Sequence, residues 1–228
     1  KINADNMPKQ VFIPRQLPPK KPDRCELCPL IGLIPKEDRE RGKREKYYCL
    51  GIYEPLVDDE GNPLFKYILN YTDTADEGSD FLCSICYGMF DSSYYILDVL
   101  YTKEAMEITE PATAQMLTRN NVGCAIIESN NGGRGFARNV GRECKDMGNT
   151  HTNIKWFHQS KNKIARILSN STSVMNNLYF PVNWEDRWPD FAKAIRKYQR
   201  EGKNEHDDAP DALTGVYENP KPLGKWLT

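Results

Sequence analysis

Five carboxylates stand at points where the chain changes element. Asp73 closes a β-rich run that includes Tyr67 to Tyr71, and a turn-forming Asp-Glu-Gly-Ser-Asp segment follows it. Glu128 closes the apolar run Val122 to Ile127, and Asp207, Asp208 and Asp211 lie in Glu205-His-Asp-Asp-Ala-Pro-Asp-Ala-Leu, at the start of a helix. Taken singly, an Asp at a strand end is a turn residue and one at a helix start is an N-cap. Taken together they are oxygen donors for a hard cation, Mg²⁺ or Mn²⁺, which keeps open positions for substrate oxygens. Asp208 and Asp211, three apart, share one helix face, as do Asp207 and Asp211, four apart. Pro210 is at home in that first turn. Carboxylates packed this closely repel, and without a counter-ion at least one is pushed toward the neutral acid. A pair of metal ions roughly 3.5–4 Å apart removes the conflict, one generating a nucleophilic water and the other stabilising the leaving oxygen of an in-line displacement at phosphorus.

Charge distribution points to the substrate. The net charge is −1, yet residues 67–130 carry ten acids against two bases, and residues 131–166 carry two acids against eight bases. An acidic half beside a basic half suits a metal-dependent enzyme acting on a polyanion, with segregated solvated faces as the structural alternative. On the first reading Arg134, Arg138, Lys161, Lys163 and Arg166 hold the phosphate backbone. Asn130-Asn-Gly-Gly-Arg-Gly lacks the Gly-Lys-Ser/Thr ending of a phosphate-binding loop, so no nucleotide site is expected. His151, His158 and His206 are too scattered for a zinc or triad site, and Trp156, Trp184 and Trp188 read as core. Seven cysteines suit reduced thiols. Cys25-x-x-Cys28 with Cys49 offers three corners of a zinc site at poor spacing. Cys83 and Cys86, on one strand, point to opposite faces. No apolar run approaches the roughly 20 residues that cross a bilayer, so a soluble intracellular protein is expected.

The positioning elements follow from pattern. Residues 1–65 hold nine of the fifteen prolines and read as an irregular Pro/Lys-rich arm or linker, as in a piece cut from something larger. From there, Phe65–Tyr71, Phe81–Phe90 and Tyr94–Tyr101 predict three antiparallel strands joined by short turns. Lys103–Arg119 predicts a helix with Pro111 inside it, and Val122–Ile127 a strand buried on both faces. A long helix between strands implies a crossover, hence a parallel neighbour. A glycine-permitted turn leads into a helix lined by Arg134, Arg138 and Arg142. Ile154–His158 predicts a strand, Ser160 the cap of the next helix, and Leu178–Val182 a short edge strand. Helices from Pro189 and from the Asp207 cluster to about Tyr217 complete an α/β fold: a mixed sheet, three antiparallel strands then parallel ones, with helices on both faces.

Read in order, Asp-Thr-Ala-Asp-Glu-Gly-Ser-Asp, Ile-Ile-Glu-Ser-Asn-Asn-Gly-Gly, Ser-Lys-Asn-Lys-Ile-Ala-Arg-Ile and His-Asp-Asp-Ala-Pro-Asp-Ala-Leu make the sequence resemble the nuclease domain of tailed-bacteriophage large terminase subunits, over about residues 66–219. The resemblance implies an RNase H-like fold and a metal-dependent endonuclease that cuts concatemeric viral DNA during genome packaging with Mg²⁺ or Mn²⁺, two ions being expected. It implies work in the host cytoplasm on double-stranded DNA, beside the portal, the small terminase subunit and an ATPase motor domain. That motor is missing from this chain, which is expected to cut DNA and not to translocate it. By motif position, Asp73 matches the first-strand ligand, Glu128 the ligand ending the buried strand, and Asp208 with Asp211 the terminal-helix ligands, Asp207 being able to substitute. Asp76 and Asp80 match only the acidic turn. Residues 1–65 are then an arm and residues 220–228 a tail. Two other readings stay open: a non-catalytic docking or DNA-binding module of the packaging machine, and another RNase H-like nuclease such as a junction resolvase or transposase.

Overall fold

The computed structural model describes residues 52–53, 65, 67–75, 80–90, 93–130, 133–181, 183–199 and 204–219. The tail, Cys25, Cys28, Cys49, Asp76 and most of the Pro/Lys-rich arm lie outside them. Among these residues seven strands form one sheet: β1 (Ile52–Tyr53), β2 (Tyr67–Asp73), β3 (Leu82–Phe90), β4 (Ser93–Thr102), β5 (Cys124–Glu128), β6 (Asn153–Phe157) and β7 (Leu178–Pro181), in the order β1-β7-β4-β3-β2-β5-β6. The helices are α1 (Met106–Arg119), α2 (Gly133–Asp146), α3 (Lys163–Asn177), α4 (Trp184–Arg187), α5 (Pro189–Lys197) and α6 (Asp208–Glu218).

The first three long strands, β2, β3 and β4, pair antiparallel, and β5 returns parallel to β2 after crossing over through α1. Period-2 alternation then sorts the side chains between two cores. Leu69, Tyr71, Cys83 and Ile85 pack on one face with Ile167, Phe191, Ile195 and Val216 of α3, α5 and α6. Ile68, Leu82, Cys86 and Ala125 pack on the other with Ala114, Leu117, Phe136 and Val140 of α1 and α2. Cys83 and Cys86 thus fall on opposite faces, as strand geometry requires.

Several boundaries differ from the expected ones, each for a local reason. Helix α1 starts at Met106 because Ala105 is extended (ψ 161°). Strand β7 is flanked on both sides, since the two residues Ile52 and Tyr53 pair with it beyond the expected edge. The cap of α3 is Asn162, not Ser160: its side-chain oxygen accepts the Ala165 N–H at 3.0 Å. Asn162→Ala is expected to cost about 1 kcal/mol, read as a lowered melting temperature. Trp184 is buried at 3% exposure and Trp188 packs against the same core, but Trp156 is 42% exposed. Trp156 sits on β6, the terminal strand of the sheet among the described residues.

Candidate metal centre

The candidate metal centre starts from strand register. Strands β2 and β5 run parallel, with Leu69 opposite Cys124 and Thr72 opposite Ile127, so Asp73 and Glu128 end neighbouring strands one residue beyond the last pair. Each is two residues from a side chain of the α3/α6 core, Tyr71 and Ile126 respectively, and alternation turns both carboxylates to that face. Helix α6 crosses the same face and is buried from Asp208 to Val216, which brings its acidic first turn over the strand ends. Oxygen atoms of Asp73, Glu128 and Asp211 lie within 4.8 Å of one another, and all three residues are buried.

Two cations from α3 meet these carboxylates. The Lys163 ammonium donates to Asp73 at 3.1 Å and to Asp208 at 3.3 Å, with Asp207 and Asp211 each at 3.8 Å. Arg166 is 3% exposed, and its guanidinium lies 3.1 Å from Asp211, 3.5 Å from Glu128 and 2.9 Å from Glu218. The Asp208 carboxylate also accepts the Phe81 N–H at 3.1 Å, tying α6 to the start of β3. Tyr71, buried beneath, donates its phenol to Glu128.

Four buried carboxylates with two cations leave a surplus of negative charge. Burial pushes the Asp73 carboxyl up to about 8, the Lys163 ammonium working against it and Glu128 and Asp211 adding to it. Burial likewise raises Asp211 to about 7, against Arg166 and Lys163. For Lys163 burial acts to lower the pKa, but Asp73, Asp208, Asp211 and Asp207 overcome it and hold the ammonium charged. Glu128 Oε2 and Asp211 Oδ1 are buried with no hydrogen-bond partner among the described residues. Hard oxygen donors this close, Glu128 Oε2 without any donor among the described residues and Asp211 Oδ1 with only the Arg166 ion pair, fit a Mg²⁺ or Mn²⁺ ion, whose ligand bonds are about 2.0–2.2 Å.

Comparison with known proteins identifies the family and the fold. A family profile described as the terminase RNase H-like domain matches residues 70–219. The chain belongs to this terminase family. Its fold is similar to that of the human cytomegalovirus terminase nuclease domain solved after a Mn soak with an inhibitor bound, with a TM-score of 0.54 and 14% identity, covering 84% of this chain and 96% of that one. The P22 large terminase nuclease domain is similar at a TM-score of 0.50 and 14% identity, covering 72% and 84%. No curated protein matches the chain by sequence. The terminase fold is RNase H-like, as the ordered motifs imply.

Against that terminase frame, the structure brings together Asp73, Glu128, Asp208 and Asp211, with Asp207 half-buried at the rim. Asp80 is exposed. Of the five residues expected on phosphate, Arg134, Arg138 and Lys161 are exposed. Lys163 and Arg166 instead turn inward, because α3 packs its first turns against α6 and the acidic ends of the strands; the Arg166 guanidinium is committed to Glu128, Asp211 and Glu218. His206 packs edge-on against Phe81. Sequence reading missed Tyr71, Gly215 and Glu218. Tyr71 carried a signal, since it stands two residues before Asp73 on the same strand face; Gly215 and Glu218 follow Asp211 at helical spacings of four and seven.

Proposed function

We propose that the chain is a metal-dependent DNA endonuclease that cuts viral DNA during genome packaging. The observation that carries this reading is the convergence of three buried carboxylates, Asp73 and Glu128 at the ends of two adjacent parallel strands and Asp211 in the first turn of α6, with Glu128 Oε2 lacking a hydrogen-bond partner among the described residues. These residues, with Asp208 beside them and Asp207 at the rim, would hold two Mg²⁺ or Mn²⁺ ions. When bound, such ions supply activation of the attacking water and neutralisation of charge on the leaving oxygen. The chain's own groups prepare the site. Tyr71 fixes the Glu128 carboxylate by its phenol, and Arg166 anchors Asp211. Lys163 bridges Asp73 and Asp208 and keeps the carboxylates together. Lys161, Arg134 and Arg138 supply contacts to the DNA backbone. Family membership and the fold shared with a Mn-soaked terminase nuclease domain support the assignment. In the infected bacterium the partners would be double-stranded DNA, the portal, the small terminase subunit and the ATPase domain.

The test is nicking of supercoiled plasmid. Conversion to open-circle and linear forms with Mn²⁺, and none with a chelator, is expected; intact plasmid at saturating Mn²⁺ would sink the reading. A second measurement follows the raised carboxyls. Asp73 holds its proton to about 8 and Asp211 to about 7, so Mn²⁺ must displace protons below those values. Calorimetric Mn²⁺ affinity is therefore expected to rise between pH 6 and 8, with proton release that shrinks over the same range. Affinity independent of pH, with no proton released, is the contrary result.

A further inference from the structure

On the sheet face opposite the carboxylates, an open groove of about 410 Å³ runs between α2 and β6. Arg138, Arg142 and Lys145 of α2 form one wall, Ile154 and Trp156 of β6 the other, and no carboxylate is among the lining residues. The three cations are exposed and follow at spacings of four and three, one stripe advancing about 6 Å per helical step of four. Arg138 and Lys145 have no ion-pair partner among the described residues, and Arg142 has only Glu143, at 3.7 Å. Trp156, the large exposed aromatic at the sheet's edge, is covered on one side by the Arg134 guanidinium, 5.7 Å from the ring centroid. Gly141 forms part of the floor, where an added Cβ would come only to 3.7 Å from Ile154. Trp156 pairs with Ile127, and its neighbour Phe157 pairs with Glu128, so the groove opens just round the β6 edge from the metal centre.

We infer that this groove is a second contact for the substrate, holding the sugar–phosphate backbone of duplex DNA as it leaves the metal centre round the β6 edge. The occupant is fixed by charge and shape. A regular row of cations along a groove lined by no carboxylate matches a polymer bearing one charge per nucleotide, and an exposed indole beside a guanidinium gives a surface for sugar or base. The inference rests on reading the substrate as DNA.

The test measures binding of the whole chain to a duplex of about 30 base pairs in chelator, over a salt series from about 50 to 200 mM. Replacing Arg138, Arg142 and Lys145 together by Ala is expected to raise the dissociation constant at least tenfold and to flatten the salt dependence by about 2–3 in log–log slope, roughly 0.9 for each phosphate that is no longer neutralised. Gly141→Leu fills the floor without changing charge and is expected to raise the dissociation constant at least threefold at an unchanged melting temperature. Unchanged affinity and slope in the triple variant overturn the inference. So does displacement of DNA by polyglutamate at equal charge concentration, which marks an acidic polypeptide as the occupant. Plasmid nicking separates the two ideas. A wild-type chain that binds duplex but never nicks with Mn²⁺ removes the nuclease reading and leaves the groove, whereas a triple variant nicking with unchanged KM removes the groove and leaves the nuclease.

Discussion

Asp73→Asn is expected to abolish plasmid nicking and, in the same protein, to raise the melting temperature of the metal-free chain at pH 8. The loss follows from the geometry. Asp73 is one of three buried carboxylates whose oxygens converge, and an amide retains the shape while offering no anionic ligand. Metal-ion stabilisation at phosphorus amounts to several kcal/mol, so a fall of at least about 10³-fold is expected. The gain in stability follows from the raised carboxyl. In the unfolded chain an aspartate gives up its proton near 3.9, and in the folded chain Asp73 keeps it to about 8. Between those values the native state binds a proton that the unfolded state does not. The contribution of Asp73 is therefore fully present below about pH 4 and is lost as pH rises toward 8. The wild-type melting temperature in chelator should fall over that window, with Asp211 adding to the slope up to about 7. Asparagine carries no charge to bury, and its melting curve should be flatter with pH and higher at pH 8. Saturating Mn²⁺ should reverse the order by stabilising the wild type. An Asn variant that nicks at the wild-type rate, or melts lower in chelator at pH 8, contradicts the assignment.

The frame of this site was legible in the sequence because strand ends and helix starts announce themselves. Asp73 and Glu128 terminate runs whose period is clear, and the Asp207–Asp211 cluster carries its own helix-start chemistry, so each carboxylate could be placed on an element from local pattern alone. What joins them is register, and here register follows from topology: the crossover through α1 makes β5 parallel to β2 and sets Asp73 beside Glu128. The direction of α3 was not legible. Lys163 and Arg166 look like the outer face of a basic amphipathic helix, and a solvated or DNA-facing stripe has the same spacing as one that packs on carboxylates. Only the docking of α3 on α6 decides between them. Trp156 failed for a related reason. An aromatic in a strand reads as core unless the strand is known to be the last in the sheet, and strand order is a long-range property. Strand β1 shows the same limit, since two residues from within the proline-rich segment gain strand character only by pairing with β7.

Gly215→Ala, a single methyl one helical turn beyond Asp211, is expected to cost nearly as much activity as losing a ligand. A Cβ built at Gly215 would lie 2.1 Å from two carbons of the Tyr71 ring and 2.6 Å from its phenol oxygen. Tyr71 is fully buried in the core under α6 and donates to Glu128, so the ring has no room to retreat. Either the ring leaves Glu128 or α6 lifts from the sheet, and α6 carries Asp208 and Asp211. Both routes pull the converging oxygens apart. Overpacking of this kind costs about 1–3 kcal/mol, and the expected fall in nicking is about 100-fold or more. Tyr71→Phe separates the two causes, because it preserves the packed ring and removes only the donor. It leaves Glu128 Oε1 with Arg166 at 3.5 Å as its nearby cation and should lower nicking about 10-fold, the lower end of what loss of a ligand-orienting hydrogen bond brings, with the melting temperature nearly unchanged. Joining the two substitutions supplies the decisive comparison. If Gly215→Ala acts by displacing the Tyr71 ring, shortening that residue to Leu in the Gly215→Ala background should restore melting temperature but not nicking beyond the Tyr71→Phe level. Recovery of neither would mean that Gly215 is needed by the backbone of α6 itself, independent of Tyr71.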